Sequence, residues 1–238
     1  MEKQVIVTGG AGYIGSHTVV ELIAAGFTPI IIDDFRNSEE FILDRIAEIT
    51  GAVPIGYRID CSDEQETLAI FQKHSNALGV IHFAAYKAVG ESVQFPQKYF
   101  DNNVGSMMAV LNAMKKTGVE HLVFSSSCTV YGEPDDPEVT EETPIQKATS
   151  PYGETKILCE KMIQKMVDEG TNVKGILLRY FNPIGAHPSS LIGELPQGIP
   201  NNLVPFITQT AQGIRDELVV FGNDYDTPDG TNVRDYIH

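Results

Sequence analysis

The chain has 238 residues, 42% of them hydrophobic, which is enough to bury a real core and within the reach of a single α/β domain. Its 17 basic against 32 acidic residues leave a formal charge of −15, and so negative a surface repels phosphate backbones and sets nucleic acid aside as a partner. No apolar run is long enough to span a bilayer, and Met1-Glu2-Lys3-Gln4 passes directly into a strand-like run, so no membrane partner and a cytoplasmic location are expected.

Val5-Ile6-Val7 reads as a buried strand, followed by a helix over 16–25. Pro29-Ile30-Ile31-Ile32 is the next strand, with helices over 39–49 and 63–74 behind it. Val80-Ile81-His82-Phe83 leads to a long helix over 98–116, Leu122-Val123-Phe124 to a helix over 151–168, and Ile176-Leu177-Leu178 closes the series. Strands alternating with helices of this size build βαβ units around a parallel sheet, whose ligands sit at the carboxyl ends of the strands. After Arg179 the rhythm breaks at Asn182-Pro183, His187-Pro188, Pro196-Gln197-Gly198 and Pro200. A nucleotide-binding domain over 1–181 and a smaller substrate-covering part over 182–238 follow from that change. Arg234-Asp235-Tyr236-Ile237-His238 looks like an ongoing segment, so the substrate part is expected to continue past it. Cys61, Cys128 and Cys159 are too far apart for a disulfide framework or metal-ligand spacing, and His17, His187 and His238 are spread apart, so no metal is expected.

Thr8-Gly9-Gly10-Ala11-Gly12-Tyr13-Ile14-Gly15 joins the first strand to the first helix. Gly9, Gly12 and Gly15 permit a tight turn, close approach of backbone to a pyrophosphate, and close helix–strand packing, while the N–H groups at the helix start hold the phosphates. A nucleoside-triphosphate loop does not fit, because Gly15 is followed by Ser16 instead of a Lys-Ser or Lys-Thr pair. Asp33 ends the second strand, where a carboxylate accepts bonds from ribose hydroxyls and repels a 2′-phosphate, favouring NAD over NADP. Asp34 and Arg36 qualify this, since a nearby arginine can tolerate the phosphate.

Tyr152-Gly153-Glu154-Thr155-Lys156 sets tyrosine and lysine on one face of a helix. A phenol with a pKa of about 10 is a poor base at neutral pH, but a nearby ammonium and a nicotinamide cation both favour the phenolate. Ser127 ends the strand-like run Phe124-Ser125-Ser126-Ser127, where a hydroxyl can face a nicotinamide; local turn bonds are the plainer reading for Ser125 or Ser126. A helix cap explains one asparagine of Asp101-Asn102-Asn103-Val104 and leaves the other to account for. In Phe83-Ala84-Ala85 small residues let a ring lie against the backbone.

Together, the glycine turn with Ser127, Tyr152 and Lys156 resembles the extended short-chain dehydrogenase/reductase family, and more narrowly its sugar-nucleotide 4-epimerases. Phe83-Ala84-Ala85-Tyr86-Lys87-Ala88-Val89-Gly90-Glu91-Ser92, Arg179-Tyr180-Phe181-Asn182-Pro183 and Pro196-Gln197-Gly198-Ile199-Pro200-Asn201-Asn202-Leu203 carry the narrower likeness, which covers the whole chain. The resemblance implies a Rossmann-type doubly wound parallel sheet with a smaller C-terminal substrate domain. It implies reversible inversion of UDP-galactose and UDP-glucose at the sugar C4 through a 4-keto intermediate, with NAD as cofactor. Tyr152 would be the base, Ser127 would bond the C4 oxygen, and Lys156 would hold ribose hydroxyls and bias the tyrosine.

Implied NAD contacts are Tyr13, Ile14, Asp33, Asp34, Phe35, Arg36, Asn37, Ser38, Asp60 and Cys61, the last through its backbone. Further along they are Phe83, Ala84, Ala85, Tyr86, Lys87, Asn102, Ser127, Tyr152, Lys156 and Phe181. The sugar nucleotide would meet Ser127, Tyr152, Asn182, Asn202, Leu203, Val219, Val220, Phe221 and Arg234, whose guanidinium suits a diphosphate. A homodimer across the helices carrying Tyr152 and following Asn102 is also implied, with Leu158, Met162, Ile163 and Met166 as its apolar surface. Two alternatives stand beside this. A 4,6-dehydratase of the same scaffold needs an Asp-Glu acid–base pair where this chain has Cys128 and Thr129, and a non-catalytic NAD-binding sensor would typically lose the tyrosine or lysine kept here.

Overall fold

The computed structural model describes every residue except Met1, Asp135 and Pro137. Its main sheet takes β1 (Gln4–Thr8), β2 (Thr28–Asp33), β3 (Ile55–Arg58), β4 (Gly79–His82), β5 (His121–Ser127) and β6 (Lys174–Tyr180) in the order β3-β2-β1-β4-β5-β6. All neighbouring pairs are parallel. Parallel neighbours need crossovers, here supplied by α1 (Tyr13–Ala24), α2 (Phe41–Thr50), α3 (Glu64–Lys73) and, beyond β4, by a helical run and a long helix described below.

A strand covered on both faces is apolar throughout, and alternation decides which face each residue serves. Ile6, Ile30 and Ile32 join Phe71, Met107 and Phe124 in one core. Val5, Val7 and Ile31 turn to the other side and pack with Val19, Val20 and Ile46. Strand order reverses between β1 and β4, so the chain leaves their carboxyl ends in opposite directions and opens a crevice there. Thr8 and His82 face each other across that seam.

The elements depart from the sequence expectation in several places. β3 is absent from it, because Ile55-Gly56-Tyr57-Arg58 is a largely exposed edge strand with no apolar run to announce it. The long helix expected over 98–116 is composite, made of the end of α5 (Pro96–Tyr99), a π-helical stretch Phe100–Val104 and α6 (Gly105–Thr117), with the unexpected short helix α4 (Val89–Gln94) before it. Neither asparagine is a helix cap. Asn103 is buried, accepts from the Tyr86 N–H at 2.8 Å, and donates to the Tyr86 carbonyl at 3.0 Å and Thr155 Oγ1 at 3.1 Å. The widened turn thus puts an amide where it ties the loop after β4 to the helix of Tyr152, consistent with the tendency of π-bulges to occur at functional sites.

That helix, α7 (Pro151–Asp168), has the bounds expected: Pro151 occupies the first turn and the Ser150 hydroxyl accepts from the Gly153 N–H at 3.1 Å. Its apolar residues serve mainly its own sheet. Ile163 is buried in the core and Met162 and Met166 pack against it, so of the four residues expected on a dimer surface only Leu158 stands outside that core. Past β6, β7 (Asn182–Pro183) pairs in parallel with β8 (Tyr236–Ile237), and α8 (Leu203–Ala211) lies between them in sequence. Ile192 returns to the core beside α1 and α2. Among the described residues no helix is long and apolar enough to cross a membrane, and no cluster of His, Cys, Asp and Glu could hold a metal.

Candidate active site

The glycine turn forms the floor of the crevice. Gly9 sits at φ +67°, its N–H donates to the Ile32 carbonyl at 2.7 Å, and a Cβ there would lie 2.8 Å from the Ala84 nitrogen. A Cβ on Gly15 would fall 2.1 Å from the Gly9 carbonyl oxygen, so helix and turn touch backbone to backbone. α1 starts from Gly12 with no side-chain cap and no acidic residue in its first turn. Its leading N–H groups have no partner inside the helix, and no side chain of its own first turn offsets its positive end. A backbone cradle that no Cβ could enter, closed by an uncapped helix start, fits a dinucleotide pyrophosphate.

At the β2 end, Asp33 is held in place by three donors: Ala11 N–H at 3.0 Å, Phe35 N–H at 2.9 Å and Ser38 Oγ at 2.9 Å. Burial raises its pKa and these bonds pull the other way. Phe35 takes a left-handed backbone (φ 59°) to aim its N–H at that carboxylate, and Asn37 stays exposed. Arg36 is fully engaged, paired with Asp34 and Asp60 and donating to Tyr86 Oη at 2.8 Å and Asn102 Oδ1 at 3.4 Å. The guanidinium that qualified the NAD preference is therefore spoken for by two carboxylates. Burial pushes the Cys61 thiol up to about 12, leaving an inert side chain behind its backbone.

Ser127, Tyr152 and Lys156 meet at the carboxyl end of β5. Lys156 is buried, donates to the Ser125 carbonyl at 2.7 Å, and lies over the rings of Phe124 (4.9 Å) and Tyr152 (5.7 Å). Burial draws its pKa down to about 8. Burial also pushes Tyr152 up to about 12, and a hydrogen bond from Ser127 opposes that. Desolvation thus outweighs the Ser127 bond, so the phenol keeps its proton unless a positive charge enters beside it. His82 behind Lys156 is held neutral, at about 3, by burial and then by that ammonium, with Thr8 Oγ1 at 2.7 Å from its Nδ1.

Beneath the three lies a buried ion pair that sequence reading misses. Glu160 takes both Arg179 Nε (3.0 Å) and Nη2 (2.8 Å) and also the Ser126 hydroxyl, joining β5, β6 and α7. The available signal was its spacing from Lys156, which puts a carboxylate one turn on along the helix's buried stripe.

The expected sugar-nucleotide residues are gathered less closely. Asn182 donates to the Asp235 carbonyl at 2.8 Å, bringing β7 and β8 together near the crevice. Burial raises the Cys128 thiol, and a hydrogen bond with Ser127 and, more weakly, the Arg234 guanidinium pull the other way. Arg234 bonds only Asn232 Oδ1 (3.0 Å) and the Val233 carbonyl (3.2 Å) among the described residues. Phe181 and Leu203 are exposed, and Val219, Val220 and Phe221 project into solvent. Lys87 pairs with Glu194 at 3.2 Å, and Asn202 donates to the same carboxylate.

Comparison with known proteins bears on this geometry. The family described as NAD dependent epimerase/dehydratase matches residues 5–238. A UDP-glucose 4-epimerase of Dictyostelium discoideum is 51% identical over 238 residues, covering 100% of this chain and 69% of that relative. The enzyme of the same name from Bacillus subtilis is 49% identical over 98% of this chain and 68% of its own length. A solved UDP-glucose 4-epimerase of Bifidobacterium longum, in complex with NAD+ and UDP, superposes with a TM-score of 0.95 at 47% identity, over 99% of this chain and 70% of that one. A Stenotrophomonas maltophila structure with bound NAD and formylated UDP-arabinopyranose gives 0.95 at 48% identity, over 100% and 70%.

Proposed function

We propose, for a chain that belongs to the NAD dependent epimerase/dehydratase family, the reversible epimerisation of UDP-glucose and UDP-galactose at the sugar C4. The observation that carries this reading is the meeting of Ser127, Tyr152 and Lys156 beside an uncapped, glycine-floored helix start. Identity near one half along the chain to relatives of that activity supports the substrate class. A dehydratase is disfavoured because Cys128 and Thr129 stand where its acid–base pair is needed, and a sensor because tyrosine and lysine are both present.

NAD, held by the glycine turn and Asp33, would supply reversible hydride transfer at the sugar C4. Every other task falls to the chain. Tyr152, as the phenolate that a positive charge entering with the cofactor would favour, accepts the proton of the 4-hydroxyl at Oη and later gives it back. Ser127 Oγ, whose bond already lowers the Tyr152 pKa, holds the C4 oxygen beside it. Lys156 supplies a fixed positive charge next to the phenol ring, oriented by the Ser125 carbonyl. Arg234 faces the diphosphate from the strand pair β7–β8, and residues 182–238 form the sugar-nucleotide side. The assembly is proposed as a cytoplasmic homodimer through α6 and α7, where Met108 and Leu158 offer apolar surface outside the core.

The test is production of UDP-glucose from UDP-galactose in a coupled assay, with bound NAD measured alongside. Tyr152→Phe removes the base and leaves the cradle intact, so turnover falls about 10²–10⁴-fold while NAD content is retained. Near-normal turnover in that variant would assign the base to another residue.

A further inference from the structure

The segment between β7 and α8 folds back across the glycine turn. Tyr13 Oη donates to the Gly185 carbonyl at 2.7 Å, Ile192 is buried against Val7, Val19 and Ile31, and Gln197 reaches Glu39 at 3.3 Å. Midway along this strap stands Glu194, its side chain only 12% exposed. One of its oxygens, Oε1, takes both Lys87 Nζ at 3.2 Å and the side-chain amide of Asn202. Lys87 belongs to the loop that leaves β4 at the switch point, whereas Asn202 stands at the start of α8.

Asn202 shows why this matters. An asparagine before a helix ordinarily caps it, its Oδ1 accepting an N–H of the first turn. Asn202 makes no such bond, although it precedes Leu203 at the N-cap position. Its Nδ2 is drawn to Glu194 instead. A carboxylate can only accept, so the amide must present its nitrogen there and turn Oδ1 away as a fixed acceptor. The same carboxylate holds a flexible lysine stem to one position.

We propose that Glu194 is a positioning residue that couples the two ligands: it fixes Lys87 toward the dinucleotide and Asn202 toward the nucleoside diphosphate of the sugar nucleotide. This rests on the proposed function, in which those two residues face the two ligands. Ordering the strap for one ligand spares that cost for the other, so each tightens the other's binding, and by the same factor in both directions. The two arms are chemically separable. Glu194→Gln keeps a carbonyl acceptor for Asn202 and loses the charge that holds Lys87, whereas Glu194→Ala loses both.

The experiment measures NAD affinity of the full chain with and without saturating UDP, for the wild type, Glu194→Ala, Glu194→Gln and Lys87→Met. In the wild type UDP tightens NAD binding at least about fivefold. In Glu194→Ala the factor falls to within about twofold of unity. In Glu194→Gln, NAD affinity drops to that of Lys87→Met while UDP affinity stays near wild type, a split that mere loosening of the fold would not produce. A coupling factor unchanged in Glu194→Ala overturns the proposal, as does wild-type binding of both ligands with no coupling. Should Glu194→Ala not fold, the Glu194→Gln split decides alone: equal losses of NAD and UDP affinity overturn it. Failure of the wild type to bind NAD or UDP at all is a different result, and removes the functional reading together with this one.

Discussion

The crevice at the strand ends and the segment beyond α8 hold their side chains in opposite ways. In the crevice Lys156 is 3% exposed and Asn103 2%, and each has a partner anchored on another element. Beyond α8, Val220 is 73% exposed and Phe221 85%, and Arg234 leans on its immediate neighbours in sequence. The first region is built before any ligand arrives, because a parallel sheet with helices on both faces fixes where its strands end. The second has side chains of suitable chemistry without the packing to hold them, so a ligand there must meet the ordering cost itself.

The contrast breaks most visibly under Glu160. Glu160→Ala leaves the Arg179 guanidinium, 18% exposed, without its carboxylate and with the Tyr131 hydroxyl as its remaining partner, and costs about 3 kcal/mol in urea unfolding. Arg234→Ala on the other side changes stability by less than about 0.5 kcal/mol, while raising the KM for the sugar nucleotide. Equal destabilisation by the two would mean that the regions are not held differently. A smaller effect sharpens the picture of the β2 end. Asp33→Ala narrows the preference for NAD over NADP by about tenfold, the scale of one close charge repulsion at a partly screened site. Arg36, already paired with Asp34 and Asp60, gives NADP no help in the wild type, so equal wild-type affinities for the two cofactors would refute that account.

The smallest expected effect is a pH dependence. Burial lowers Lys156 to about 8 in the folded chain, against 10.5 for the free side chain. Below about 8 both folded and unfolded chains hold this proton, and the penalty of the buried charge is present in full. Between about 8 and 10.5 the folded chain has released the proton and the unfolded one has not, so stability rises with pH, by about 1 kcal/mol from pH 8 to 9. Denaturant midpoints at both pH values should show this rise in the wild type relative to Lys156→Met. Parallel curves would show that Lys156 is no more desolvated than the open side.

What could be read in advance follows the same division. The chain announces β1, β2, β4 and β5 because strands covered on both faces carry unbroken apolar runs, and α7 because Ser150-Pro151 marks its start. It is silent about β3, whose residues lie half in water at the sheet edge. The glycine turn was legible because each glycine answers a backbone contact that a Cβ would occupy. Asn103, Glu160 and Glu194 were not, since each acts through partners 8 to 107 residues distant that only the folded chain brings together. Tyr152 was legible as a candidate, but the direction of its pKa was not, because that depends on how deeply the ring is buried.

The strand order also has a consequence for assembly. β1, β2 and β3 are neighbours in both sequence and space, so half of the sheet can close through short-range pairing. β4 must return to β1, joining Thr8 to His82, 74 positions further along the chain, and only that non-local pairing creates the floor of the crevice. A dinucleotide laid across the seam is held only by the chain whose two halves have met. It acts as a rivet on that joint, stabilising the finished sheet by mass action and leaving the half-built one untouched.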